Sequence, residues 1–145
     1  MILGVGNDLV DIRRIRRALD RNGDRFRARL FTPAELRVAA TRYDEAAALA
    51  RLYAVKEAVA KALGTGIAQG VAWRQIELLR GEQGKPFLRL HGAARRRAWS
   101  LTPAGFVPDA DVSASDEPPY ASAVAVLFAC TPDLGSRRMA DIPQG

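Results

Sequence analysis

Residues 51–66 read Arg51-Leu-Tyr53-Ala-Val-Lys56-Glu57-Ala-Val-Ala-Lys61-Ala-Leu63-Gly64-Thr65-Gly66. Asp44 and Glu45 stand upstream as a helix start, and no glycine or proline interrupts the chain from there to Leu63. The spacing predicts one long, alanine-rich helix from about Glu45 to Leu63, stopped at Gly64. Acids at its start, and Lys56 and Lys61 nearer its end, complement the helix dipole. Glu57 and Lys61 stand four apart and share a face, with Tyr53 one turn earlier. An isolated pair of this kind is ordinarily a surface ion pair. The Gly-Thr-Gly that follows opens a second reading, in which backbone N–H groups beside lysines cradle a phosphate. Glycine order and helix direction exclude a Walker P-loop.

Working outward, Ile2–Val5 is a short apolar run that reads as a buried strand, with Gly4 and Gly6 allowing close approach. Asp11 caps a helix whose apolar residues are Ile12, Ile15 and Leu19, and Gly23 reads as its stop. Arg14, Arg17 and Arg21 fall on a face away from that stripe. Thr32-Pro33-Ala34-Glu35 has the residues of a capping box with proline at the first helical position. Residues 74–90 read as a hairpin turning through Gly81–Gly84. Gly92 to about Leu101 is a basic helix, and Val112–Ser115 is extended up to the break at Pro118–Pro119. Ala121–Ala129 is a near-continuous apolar run that reads as a second buried strand. The order β-α-α-α-β-β-α-β-β implies an α+β fold, with helices packed on a mostly antiparallel sheet. Residues 1–130 read as one domain, and 131–145, polar with Pro132, Gly135 and Pro143, as a C-terminal tail expected to be mobile.

The chain has 145 residues, 48% hydrophobic and 26% charged, an ordinary globular composition able to bury a core. A single cysteine, Cys130, excludes an intramolecular disulfide framework and a zinc site built on cysteines. His91 is the only histidine, and no nucleophile-elbow motif accompanies it. No apolar run has the length of a membrane helix, and the first residues lack the basic region of a signal peptide, so a cytoplasmic protein is expected. Lys plus Arg is 22 against 16 for Asp plus Glu, a net charge of +6. Only Lys56, Lys61 and Lys85 are lysines, and eight arginines lie between Arg13 and Arg29. This balance implies an anionic partner: nucleic acid, a phosphorylated ligand, a membrane surface or an acidic protein. No aromatic interleaving accompanies the basic stretches, so a nucleic-acid-binding module rests on charge alone.

Asp8 follows the first strand and its two glycines, where a carboxylate projects at a strand end; a turn aspartate is the plain alternative. Asp8 with Glu57 makes a two-carboxylate site for a hard cation, since magnesium takes one or two carboxylates with phosphate oxygens and water.

Gly4-Val-Gly-Asn-Asp8-Leu-Val-Asp-Ile12, Phe31-Thr-Pro-Ala-Glu35, Arg51 through Gly66, Gly84-Lys85-Pro86 and Val112-Ser-Ala-Ser115 resemble, in order over residues 2–129, bacterial holo-acyl-carrier-protein synthase. That family is the short type of 4′-phosphopantetheinyl transferase. The resemblance implies the 4′-phosphopantetheinyl transferase fold, a homotrimer with active sites between subunits, and transfer of the phosphopantetheine arm of coenzyme A to a serine of apo acyl carrier protein. Adenosine 3′,5′-bisphosphate would be released. It further implies Mg²⁺ held by Asp8 and Glu57, and Lys61 stabilising charge or protonating the leaving oxygen. Glu57, a metal-bound water and Lys61 are each able to take the serine proton. Arg51, Lys56, Lys61, Gly64, Thr65, Gly66, Lys85, Pro86 and Ser113 fall where the family binds coenzyme A. The acidic carrier would dock on the first helix, at Arg13, Arg14, Arg17, Arg21 and Arg25. A fatty-acid carrier is the expected partner, with polyketide carriers as an alternative.

The sequence departs from the family at one block. Histidines usually flank the Val-Ser segment, and Asp111 and Asp116 stand there. Aspartate lacks the charged donor a histidine offers a phosphate. Asp111 instead suits orienting a neighbouring arginine or lysine. A coenzyme A-binding but inactive relative is therefore an alternative reading.

Overall fold

The structure, a computed structural model, describes residues 1–81 and 83–135. Its elements are β1 (Ile2–Asp11), α1 (Ile12–Leu30), α2 (Pro33–Ala40), α3 (Glu45–Ala62), a 3-10 turn at Trp73–Gln75, β2 (Ile76–Arg80), β3 (Pro86–Leu90), α4 (Gly92–Leu101), β4 (Val107–Glu117), β5 (Tyr120–Cys130) and a helical turn α5 (Pro132–Gly135). The expected order and α+β class are found. One antiparallel sheet has the order β1-β5-β4, and β2 and β3 form a separate hairpin.

Helix α3 is the axis of the fold. Asp44 caps it by accepting the Ala47 amide, and Leu63 closes it with Gly64 in the left-handed region. Small side chains let neighbours approach it closely on several sides. The tightest approach is that of β1: a Cβ on Gly6 would stand 1.9 Å from the Ala58 carbonyl oxygen, and one on Gly4 2.0 Å from that of Ala62. Only glycine fits between strand and helix there, which seats β1 directly on α3.

Strand alternation corrects two readings of the apolar runs. The side of the sheet facing α3 carries Gly6, Asp8 and Val10 of β1 and Ala121, Ala123, Ala125, Leu127 and Ala129 of β5. The other side carries Ile2, Val5, Leu9 and Val124, which are exposed; Val5 is 60% and Leu9 66% accessible. The apolar runs predict buried strands, but each buries one face only, because none of the described residues covers the outer one. β1 is also longer than Ile2–Val5, continuing through Asp8 to Asp11.

Two boundaries also differ. α1 breaks at Asn22 (φ −149°, ψ 54°) rather than stopping at Gly23, and resumes at once to Leu30. Phe26, Leu30 and Phe31 pack that second segment onto the core. The first residues of the expected tail form α5, while 136–145 lie outside the described residues.

Thr32 and Glu35 form the predicted capping box, and Glu35 does more. Its Oε2 accepts the Thr32 amide, and its Oε1 accepts both the Leu78 amide and Lys56 Nζ, each at 2.9 Å. The remaining Lys56 donors go to the carbonyl oxygens of Trp73 and Ile76. Lys56 is 1% accessible, so its ammonium, with all three donors satisfied, is a pin joining α3, α2 and the hairpin. Burial pulls its pKa down from the ordinary lysine range, against the opposing pull of the Glu35 charge.

Candidate active site

Two of the predicted residues, Asp8 and Lys61, meet where β1 crosses α3. Asp8 is held over the helix because Gly4 and Gly6 bring its strand there. Lys61, on the last turn of α3, donates to Asp8 Oδ1 and to the Asn7 carbonyl oxygen, each at 2.9 Å. Asp8 Oδ2 is buried and has no hydrogen-bond partner. A buried carboxylate oxygen without a partner is costly unless a cation or donor completes it. Glu57, one turn before Lys61, accepts the Trp73 indole N–H through Oε1 at 2.9 Å. Tyr53 stands one turn earlier again, and its hydroxyl pKa is raised by burial first and then by the Glu57 and Asp8 charges.

Asp8, with one buried oxygen that has no partner, is the donor type a hard divalent cation takes, and Glu57 on the adjoining helix would be the second carboxylate, with phosphate oxygens and water supplying the rest. Among the described residues no cluster of three or more His, Cys, Asp or Glu suits a metal, so an all-protein cage is not what this site offers.

The other predicted residues lie elsewhere. Arg51 precedes Glu57 by six residues, about a third of a turn away around the helix axis. It lines a cleft of about 640 Å³ with Arg37, Arg42 and Arg80, and Pro86 forms part of the wall. Leu52 and Val55 give this cleft an apolar floor. Arg51 donates to Asp116 Oδ1 at 2.7 Å, so one of the two aspartates in the histidine positions anchors the arginine assigned to coenzyme A. Lys85 is exposed beside Pro86. Ser113, paired with Val124, lies on the outer face of the sheet. A single chain does not bring Ser113 together with Asp8, Glu57 and Lys61.

Two groups assigned to coenzyme A have their donors engaged within the chain. The Lys56 ammonium is buried on Glu35 and two carbonyls. The amides of Gly64 and Gly66 donate to the carbonyl oxygens of Lys61 and Ala60, satisfying the end of α3. Gly66 does keep an open face, with nothing within 4 Å of where a Cβ would stand.

On α1, Arg13, Arg14, Arg17, Arg21 and Arg25 are all exposed. Arg13 is committed to Asp11, whose carboxyl it holds down to about 2 through their side-chain hydrogen bond. Arg16 and Arg27 hold Asp44 and Glu45 at the start of α3. Trp73, read from sequence as packing, proves to be a partner of Glu57; no periodicity announces an indole N–H that reaches across sixteen residues.

This fold and site define a class. A sequence model of the 4′-phosphopantetheinyl transferase superfamily matches residues 4–125, and the chain belongs to that family. Within it, the holo-[acyl-carrier-protein] synthase of Methylobacterium nodulans is 49% identical over 129 residues, covering 89% of this chain and 98% of that protein. The crystal structure of the Neisseria meningitidis holo-[acyl-carrier-protein] synthase superposes with a TM-score of 0.74 at 34% identity, covering 88% of this chain and 99% of that one. That of the Bacillus anthracis enzyme, in complex with CoA (3′,5′-ADP), has a TM-score of 0.68 at 30% identity over 88% of this chain and 96% of that one.

Proposed function

We propose that this chain is a Mg²⁺-dependent holo-acyl-carrier-protein synthase, moving 4′-phosphopantetheine from coenzyme A to a serine of apo acyl carrier protein. The serine oxygen forms a bond to the phosphorus that carries the pantetheine. The bond from that phosphorus to adenosine 3′,5′-bisphosphate breaks, and the serine proton is released. The observation that carries this reading is the orphaned Asp8 oxygen beside Lys61, under the helix that carries Glu57. Held by Asp8 and Glu57, Mg²⁺ would polarise the attacked phosphate and offset charge on the departing bisphosphate. Lys61 spends two of its three donors on Asn7 and Asp8, which orients its ammonium and leaves one donor for a phosphate oxygen. Such fixed charge stabilises developing negative charge without reorganisation. The arginine-lined cleft suits the anionic end of coenzyme A, and its apolar floor suits a flat ring.

We further propose a homotrimer with sites between subunits. Exposed Val5, Leu9 and Val124 on the outer sheet face supply an apolar surface, and Ser113 on that face would reach a neighbour's site. The exposed arginines Arg14, Arg17, Arg21 and Arg25, with Arg13, would receive the acidic carrier protein. We read residues 1–130 as the transferase unit and 131–145 as an appendage. We place the enzyme in the cytoplasm, serving fatty-acid synthesis; among the described residues no helix is long and apolar enough to cross a membrane.

The test is intact-mass analysis of an apo carrier protein after incubation with this protein, coenzyme A and Mg²⁺. A gain of one phosphopantetheine arm supports the reading. The Arg51–Asp116 pair favours one second reading, a relative that binds coenzyme A without turnover. Normal coenzyme A affinity with no transfer would select it.

A further inference from the structure

We infer that Trp73 is a positioning residue for Glu57: its indole N–H fixes one carboxylate oxygen of the glutamate and thereby sets how the other is presented to a ligand. The inference rests on the transferase reading and adds to it a residue outside the motif block. Glu57 is a long side chain near the end of a helix, and left alone it would sample several rotamers. The indole N–H only donates, so at 2.9 Å from Glu57 Oε1 it orients the carboxylate without competing to become a ligand itself. A bond to a charged carboxylate is also among the stronger hydrogen bonds.

Trp73 can serve this way because it is itself held from both ends. Its backbone lies in the 3-10 turn Trp73–Gln75, and its carbonyl oxygen accepts from Lys56 Nζ at 3.0 Å and from the Ile76 amide. Its ring lies under the guanidinium of Arg29, whose Cζ is 5.5 Å from the ring centroid. A cation over an indole face is attracted to it, so Arg29 pins the ring while the buried lysine pins the backbone. The chain of contacts is Lys56 and Arg29 to Trp73, and Trp73 to Glu57. It also gives the buried lysine of the motif a consequence at the site it does not touch.

The discriminating variant is Trp73→Phe, which keeps an aromatic face for Arg29 and removes the N–H. It is expected to lower kcat about tenfold and to raise the half-saturating Mg²⁺ concentration about tenfold, the lower end of what loss of a partner behind a metal ligand costs. KM for the carrier should stay within about twofold, a split that loss of folded protein alone would not produce. A second measurement does not depend on that variant folding. Trp73 and Trp99 are the only tryptophans, so two indole N–H resonances are expected by NMR. Glu57→Ala should move the Trp73 resonance and speed its solvent exchange, leaving that of Trp99 in place, and Mg²⁺ should move the same resonance in the unmodified protein. Trp73→Phe with unchanged kcat and Mg²⁺ dependence, while Glu57→Ala is inactive, would overturn the inference and leave the transferase reading intact. An unmoved Trp73 resonance in Glu57→Ala would overturn it too. Absence of transfer by the unmodified protein counts instead against the transferase reading, and the indole resonance still decides the positioning role.

Discussion

The two lysines of the 51–66 segment should give opposite phenotypes. Lys56→Met keeps most of the aliphatic stem and removes the ammonium. It leaves Glu35 Oε1 buried with only the Leu78 amide, and it strips a donor from the carbonyls of Trp73 and Ile76. Breaking a buried pair by removing one partner costs about 3–5 kcal/mol, because an uncompensated charge is left behind. At roughly 3 °C per kcal/mol for a chain of this size, Tm should fall by about 10–15 °C. Lys61→Met is the comparator: its side chain is 49% accessible against 14% for Asp8, so water can reach this pair and its loss should cost less than that of the fully buried Lys56 pair. Thermal and urea denaturation at neutral pH measure both. Lys61→Met should keep more of its stability and lose transfer, while Lys56→Met should lose stability and, below its Tm, retain coenzyme A binding. A Lys56→Met protein as stable as the parent but unable to bind coenzyme A would mean that Lys56 serves the ligand and not the fold.

Gly6→Ala should force β1 off α3, because its Cβ meets backbone that cannot rotate away; a loss of about 3 kcal/mol by denaturation, with reduced transfer as Asp8 moves, is expected. Asp44→Ala should remove about 1 kcal/mol by loss of the α3 cap. The Asp44 carboxyl sits below its ordinary 3.8 because it accepts the Ala47 amide and then the Arg16 guanidinium. Its contribution is therefore complete above 3.8 and is lost as pH falls through the lowered folded value, so the gap between parent and variant should close in urea titrations taken to acid. Reversing Arg14, Arg17 and Arg21 to Glu should raise KM for the carrier severalfold and leave coenzyme A affinity near normal; lost coenzyme A binding would give the helix another role.

Much of the fold was legible because it is written in local signals. The capping box at Thr32, the cap at Asp44 and the glycine stop at Gly64 each act within a few residues, and each is found where the sequence placed it. The burial of the strands was not, because an apolar run does not say which face has a neighbour; Val5 looks like a core residue, yet no described residue covers it. At the site, Asp8, Glu57 and Lys61 were readable as a carboxylate pair and a helical i, i+4 pair. The burial of Lys56 is not legible, because its partner Glu35 lies twenty-one residues away, and a charged side chain buried on a distant one leaves no periodic trace. Trp73 and the Arg51–Asp116 pair were hidden for the same reason. The glycine loop shows a different limit: the residues that free a backbone for phosphate are also the residues that end a helix, and here their amides are spent on the helix.

If Asp8, Glu57 and Lys61 form one metal-assisted transfer site, the intact mass of apo acyl carrier protein incubated with coenzyme A and Mg²⁺ reports it, run in parallel with the unmodified protein, Asp8→Ala and Glu57→Ala. The unmodified protein should add one phosphopantetheine arm, chelation of Mg²⁺ should stop it, and neither variant should add it while remaining folded. No mass gain where a control synthase modifies the same carrier would exclude transfer by this protein, and full transfer by either alanine variant would remove that carboxylate from the site.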